Sequence, residues 1–139
     1  MKLGKIVEFL LALVLCMFML WGLLTLFAFK EDKDCELTTQ CIKEELISQN
    51  IYFPEVVLRI GILETGWWKS SACIKQHNLF GFMLNGKIIS FKSYKECIHY
   101  YHEWEMKHWN FKENYLDFLK RIHYFTDKNY ISKLKQIKI

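Results

Sequence analysis

The sequence predicts an α+β fold dominated by helix, in which a domain with one small β-hairpin is preceded by a single transmembrane helix. Three observations support this prediction. Residues 9–29 carry no charge, and several segments after residue 38 place apolar residues at the three-and-four spacing of an amphipathic helix. Asn85-Gly86 lies between two short apolar runs, which is a strong hairpin pattern. With 139 residues, 52% of them hydrophobic, the chain can form one modest domain and is too apolar to be disordered.

The N-terminal helix is predicted for residues 1–29. Its 21 uncharged residues would reach about 30 Å as a helix, which is enough to cross a bilayer core. A cleaved signal peptide has a shorter apolar stretch and a small-x-small site, and Leu26-Phe27-Ala28 matches such a site poorly. A lipoprotein cysteine at Cys16 is disfavoured because Leu15 precedes it. We therefore expect an uncleaved signal anchor that passes once through the cell membrane.

The orientation of this anchor follows from the positive charges beside it. Lys2 and Lys5 precede the span, and Lys30 and Lys33 follow it. The lysine count is equal, and the terminal amine weakly favours an N-terminus inside the cell. Residues 30–139 are accordingly predicted to be extracytoplasmic.

A short charged linker, residues 30–39, leads to one domain, residues 40–139. The whole chain has 19 Lys and Arg against 15 Asp and Glu, a mild excess that does not indicate a nucleic-acid partner. An even number of cysteines in an exported domain permits disulfides, and three pairings are open. The cysteines outside the span are Cys35, Cys41, Cys73 and Cys97.

The first two helices of the domain have clear boundaries. Thr38 or Thr39 can cap a helix that runs to about Ser48. Pro54 suits the first turn of the second helix, and Gly66 suits its end. Residues 67–92 lack a helical period, and Asn85-Gly86 between residues 81–83 and residues 87–89 predicts a β-hairpin. Further helices are predicted at residues 94–109, 114–124 and 128–137.

Glu64 is the candidate catalytic residue. It flanks the apolar face that contains Val57 and Ile60, and it lies in the last turn before Gly66, where the helix dipole disfavours a negative charge. Partial burial and the dipole both favour the neutral acid. Glycosidic cleavage needs such a protonated carboxyl, because the leaving oxygen must receive a proton. The alternative is an exposed glutamate with no special role.

The residues around Glu64 extend this interpretation. Leu-Glu-Thr-Gly-Trp-Trp-Lys-Ser at residues 63–70 is followed by His-Asn-Leu-Phe-Gly-Phe at 77–82 and by Phe-Lys-Ser-Tyr at 91–94. Two more motifs are at residues 115–119 and 124–130. In this order they resemble the glucosaminidase domain of glycoside hydrolase family 73, across about residues 40–137. The cysteine at position 73 resembles a feature of the Bacteroidetes branch of that family.

The resemblance implies a lysozyme-like fold that hydrolyses the bond after N-acetylglucosamine in peptidoglycan, with no metal and no cofactor. It places Glu64 at the catalytic glutamate and Tyr124 at the tyrosine that lines the cleft near the cleaved bond. Asn amides suit N-acetyl groups, and aromatic faces suit sugar rings. The substrate-binding positions implied by the resemblance are Trp68, His77, Asn78, Phe80 and Tyr94.

The sequence also departs from the family. His77 stands in place of an asparagine, Phe125 in place of a small alanine and Lys128 in place of a proline. Residues 65–95 contain no Asp or Glu, although many members of the family place a second carboxylate there. The nearest acids in sequence are Glu96, Glu103 and Asp127.

The missing second acid leaves several functions open. The substrate's own acetamido group could replace it, with help from Tyr124. A lytic transglycosylase and a weak or inactive peptidoglycan-binding scaffold are the alternatives to a hydrolase. The linker spans at most about 35 Å when fully extended. We therefore expect action close to the membrane, on newly made glycan or at an envelope-spanning machine.

Overall fold

The computed structural model describes residues 4, 8, 10, 13–19 and 34–139. The chain divides into two compact units, Met1–Lys33 and Asp34–Ile139. In the first unit, residues 13–19 are helical and exposed. Most of the predicted transmembrane segment lies outside the described residues. Among the residues that are described, no helix has the length and hydropathy needed to cross a membrane.

The second unit is mostly helical, with one two-stranded antiparallel sheet, as the sequence predicted. In chain order its elements are α1 (Thr39–Ser48), α2 (Pro54–Thr65), α3 (Ser71–Gln76), β1 (Met83–Leu84), β2 (Lys87–Ile88), α4 (Tyr94–His108), α5 (Tyr115–Arg121) and α6 (Tyr130–Gln136).

Local chemistry fixes the ends of the first two helices where the sequence placed them. The hydroxyl of Thr38 accepts the backbone N–H of Cys41 and caps α1. Pro54 begins α2, and Gly66 ends it in the left-handed conformation with φ of 58°. These boundary predictions are confirmed.

Three predictions for the later elements need correction. Helix α3 was missed, because six residues are too few to show a helical period. Helix α5 ends at Arg121, so Tyr124 lies in the loop that follows and not in the helix. Helix α6 begins at Tyr130, two residues later than predicted.

The hairpin is short and well defined. Met83 pairs with Ile88 and Leu84 with Lys87, so Asn85-Gly86 forms a two-residue turn. Both turn residues have positive φ, 50° and 76°, as this tight turn requires. The strand pairing predicted from the Asn-Gly pair is therefore confirmed, with strands shorter than expected.

Helix α2 lies at the centre of the domain and packs against α1 and α6. Val57, Leu58, Ile60 and Ile62 are all buried. Gly61 allows close packing on this helix, since an added Cβ would stand 3.1 Å from the ring of Trp68. Buried packing on several sides holds the C-terminal end of α2, which carries Glu64, in a fixed place.

The start of the unit is tied to the domain. Cys35 is bonded to Cys41, and the carboxylate of Asp34 accepts the backbone N–H of Tyr94 at 3.3 Å. Cys73 and Cys97 are free and buried. Of the three open pairings, the structure therefore forms one bond of the pairing Cys35–Cys41 with Cys73–Cys97, because Cys73 and Cys97 remain free. It also assigns residues 34–39, which the sequence placed in the linker, to the compact unit.

Candidate active site

Glu64 lies in the last turn of α2, with its side chain exposed to solvent. Its Oε1 accepts a hydrogen bond of 2.6 Å from the hydroxyl of Tyr130, the first residue of α6. Its Oε2 lies on the side of Gly81, where an added Cβ would be 3.7 Å away. The carboxyl is thus fixed through one oxygen, while the other faces the loop that leads into the hairpin.

The surroundings of Glu64 change its acidity. Protein atoms around the carboxyl remove part of its hydration, and this desolvation raises its pKa. The hydrogen bond from Tyr130 stabilises the charged form and lowers the pKa by a smaller amount. The net shift is upward, so the neutral acid persists to higher pH than for an ordinary glutamate.

Tyr124 and Tyr130 have different hydrogen-bond partners beside Glu64. The hydroxyl of Tyr124 donates to the carbonyl of Phe80 at 3.3 Å, while Tyr130 bonds directly to Glu64. Burial raises the pKa of Tyr124 well above its usual value, and the nearby Glu64 charge adds to that shift. Tyr130 is the residue that sequence reasoning missed as a site residue, although it closes the 124–130 motif.

Asn78 is buried, and backbone partners satisfy its amide. Its Nδ2 donates to the carbonyls of Phe82 and Ile89 at 2.9 Å each, and its Oδ1 accepts from the N–H groups of Phe80 and Phe82. The amide therefore clamps the two ends of the hairpin together. Substrate binding by Asn78 stays a prediction, and this arrangement favours an indirect role through the hairpin.

The predicted aromatic subsites are also mostly internal. Phe80 is 4% exposed and packs on Tyr101, with ring centroids 4.4 Å apart. Trp68 is 9% exposed and donates its indole N–H to Thr39, whereas the adjacent Trp67 is 52% exposed. Of the two indoles, only Trp67 offers a free face to a sugar.

His77 and Tyr94 pack against the loop between α3 and the hairpin. Nδ1 of His77 lies 3.0 Å from the carbonyl of Phe91, and its ring contacts Tyr94 edge to face at 4.8 Å. Tyr94 is buried and donates to the carbonyl of Cys73. These contacts orient the loop between α3 and the hairpin, so both side chains hold the site together.

No second carboxylate contacts Glu64 within the described part of the chain. Glu96 accepts backbone N–H of Lys92 near the start of α4. Glu103 pairs with His99 at 3.5 Å. The third candidate, Asp127, pairs with Lys133. Each of the three acids that the sequence offered has another partner.

An accessible carboxyl of raised pKa at the end of a buried helix, facing a hairpin, is the arrangement expected of a glycoside hydrolase's general acid. The chain belongs to the glucosaminidase family, described as mannosyl-glycoprotein endo-beta-N-acetylglucosaminidase, whose family model matches residues 40–138. The match does not separate branches of the family. No curated protein and no solved structure matches the chain. Membership supports glycosidase activity and is consistent with a peptidoglycan substrate.

Proposed function

We propose that the domain hydrolyses the glycosidic bond after N-acetylglucosamine in peptidoglycan strands, with Glu64 as the general acid. The observation that carries this proposal is the state of Glu64. Its carboxyl is accessible to solvent, yet desolvation by the surrounding protein atoms raises its pKa. Protonation of the glycosidic oxygen lets the bond from that oxygen to the sugar's C1 break. The bonding electron pair leaves with the oxygen, and positive charge develops at C1.

The positive charge at C1 needs a partner. No acid lies at residues 65–95, and the other candidate carboxylates have their own partners. The acetamido oxygen of the same sugar can instead attack C1, and water can then open the resulting ring and restore the acetamide. The exposed indole of Trp67 is suited to stack on a sugar of the bound strand.

The test is the release of muropeptides by the full-length chain and by Glu64→Gln, measured by mass spectrometry. Glutamine keeps an acceptor for Tyr130 but has no proton to give. We expect turnover to fall by about 10²–10⁴-fold, the usual contribution of a general acid. Glu44→Gln, an exposed glutamate of α1, is the matched control and should keep full activity. Near-normal activity of Glu64→Gln would refute the assignment.

The products separate the proposal from its alternatives. Hydrolysis should yield reducing N-acetylglucosamine ends. A lytic transglycosylase, which the absence of a second acid at residues 65–95 also permits, would yield 1,6-anhydro ends. Binding to insoluble peptidoglycan with no released product would identify an inactive scaffold.

We further propose that residues 6–29 anchor the domain to the outer face of the cell membrane. The basis is the uncharged run of 21 residues at positions 9–29. Tethering through a short linker would confine activity to glycan near the membrane or to an envelope-spanning assembly. Protease added to spheroplasts should then remove the domain from the membrane fraction. A soluble mature protein beginning near residue 30 would contradict the anchor.

A further inference from the structure

The contact between Tyr130 and Glu64 joins two helices at the site. Tyr130 begins α6, is 6% exposed, and donates a 2.6 Å hydrogen bond to Oε1 of Glu64 near the end of α2. A short bond to a carboxyl oxygen is strong and directional. The phenol therefore restrains both the position of the carboxyl and its rotation about the last side-chain bond.

The ring of Tyr130 is itself held in place. Phe125 stacks on it in parallel, with centroids 4.4 Å apart and an interplanar angle of 5°. The ring of Tyr124 lies edge-on to it at 6.5 Å. The backbone N–H of Tyr130 donates to the carbonyl of Asp127, and this hydrogen bond closes the turn between Phe125 and Tyr130. Because ring and backbone are both fixed, the hydroxyl has little freedom to turn away from Glu64.

This arrangement makes the two oxygens of Glu64 inequivalent. Oε1 already accepts the proton of Tyr130, so a second proton on Oε1 would compete with that hydrogen bond. Oε2 faces Gly81, where the absence of a side chain leaves open space beside the carboxyl. The proton of the neutral acid is therefore better placed on Oε2.

We propose that Tyr130, held by the stacked ring of Phe125, is a positioning residue that directs the acidic proton of Glu64 to Oε2, on the hairpin side of the carboxyl. This inference rests on the proposed function, in which Glu64 is the acid. Tyr130 itself gives no proton to the substrate. It fixes the oxygen from which the proton leaves.

The hydrogen bond between Tyr130 and Glu64 also affects the pH dependence of activity. The hydrogen bond from Tyr130 stabilises the carboxylate and lowers the pKa of Glu64 against the larger effect of burial. Removing the hydroxyl should raise the pKa of Glu64. Because a general acid must be protonated, the basic limb of the pH profile should then move to higher pH.

Other groups near Glu64 do not supply this effect. Tyr124 also interacts with Glu64, and its hydroxyl is bonded to Phe80. From the helices that pack on α2, Lys43 of α1 faces Glu55, and Lys133 of α6 faces Asp127. On α6, Lys135 lines a pocket together with Arg59, which lies in the middle of α2. The charged residue in the two hairpin strands is Lys87 of β2, whose side chain is exposed.

The test is Tyr130→Phe in the full-length chain, which keeps the ring and its stack on Phe125 and removes only the hydroxyl. We expect kcat to fall about 10-fold with little change in KM, and the basic limb to move upward. Independently of activity, the carboxyl ¹³C resonance of Glu64 should titrate at higher pH than in the unchanged chain. Tyr52→Phe removes a hydroxyl that bonds Met106 and should change none of these quantities.

A second variant tests the role of the stack. Phe125→Leu keeps the hydroxyl of Tyr130 but removes the parallel ring, so it should move the Glu64 titration and kcat in the same direction by a smaller amount. An unchanged Glu64 titration in folded Tyr130→Phe would overturn the proposal. A shifted titration with unchanged kcat and pH profile would overturn its catalytic part. Full activity of Glu64→Gln would instead refute the proposed function, while the titration would still report whether Tyr130 positions the carboxyl.

Discussion

Two glutamates of this domain have pKa values that are raised by the same main cause, yet one side chain is exposed and the other is buried. Desolvation raises the pKa of both Glu64 and Glu105. Glu64 is exposed and, within the described part of the chain, accepts a hydrogen bond from Tyr130 alone. Glu105, on α4, is fully buried. The groups that contact Glu105 are the backbone N–H of Tyr52, Nδ1 of His102 and the hydroxyl of Tyr115.

The difference shows which features distinguish the candidate acid from a structural carboxyl. A raised pKa is a property of both groups, so it does not by itself identify the active site. Both oxygens of Glu105 have partners, and the hydroxyl of Tyr115 continues the network to Tyr101 at 2.8 Å. Among the described residues, Oε2 of Glu64 has no hydrogen-bond donor and lies beside Gly81. Access and an unused oxygen separate the catalytic candidate from the structural group.

The largest expected effect on stability comes from Glu105→Ala. The substitution leaves a cavity and removes the acceptor of Tyr115 and His102, so the free energy of unfolding should fall by about 3 kcal/mol. Urea denaturation followed by circular dichroism measures it. Glu103→Ala, an exposed position on the same helix, is the control and should stay within about 0.5 kcal/mol. If the free energy of unfolding fell by a similar amount in both variants, Glu105 would have no special role in stability.

A smaller effect is expected in the pH dependence of stability. The folded-state pKa of Glu105 lies above its ordinary value of 4.5, so the folded protein binds this proton more tightly than the unfolded chain. Stability therefore falls as pH rises above that value until the folded-state pKa is passed, with a slope of at most about 1.4 kcal/mol per pH unit. Glu105→Gln should lose this part of the decline when urea midpoints are compared from about pH 4 to about pH 7.

The smallest expected effect is that of Glu64→Gln on stability. The side chain is exposed and its acceptor for Tyr130 is retained, so the free energy of unfolding should change by no more than about 0.5 kcal/mol. Thermal unfolding beside the activity assay provides the measurement. If this variant were as unstable as Glu105→Ala, the loss of activity would report unfolding, and the two glutamates would no longer be distinguished.

Much of the fold could be predicted because the determining interactions are local. Thr38 caps α1, Pro54 and Gly66 bound α2, and Asn85-Gly86 forms the hairpin turn, each through geometry that a few neighbouring residues set. The end of α5 could not be predicted in this way. The apolar pattern continues to Tyr124, but the helix ends at Arg121.

At the candidate site, too, local sequence patterns predicted some features, whereas others depend on tertiary packing. Motif order and the position of Glu64 at the end of an amphipathic helix indicated the acid. The sugar contacts stay predictions, because a pattern of aromatic and amide residues does not show which side chains are buried. Trp68, Asn78 and Phe80 lie inside the domain, whereas Trp67 is exposed.

The sequence by itself determined the family, the mostly helical class and the candidate acid, since these depend on short motifs and on helical periodicity. Only the tertiary structure decided that the hydroxyl of Tyr130 donates a hydrogen bond to Glu64, whereas the hydroxyl of Tyr124 donates to Phe80. It also decided that Cys35 pairs with Cys41 and that Glu105 is buried. The physical reason is that these contacts join segments or burial environments that packing brings together, and a hydrogen bond between residues 64 and 130 leaves no periodic trace along the chain.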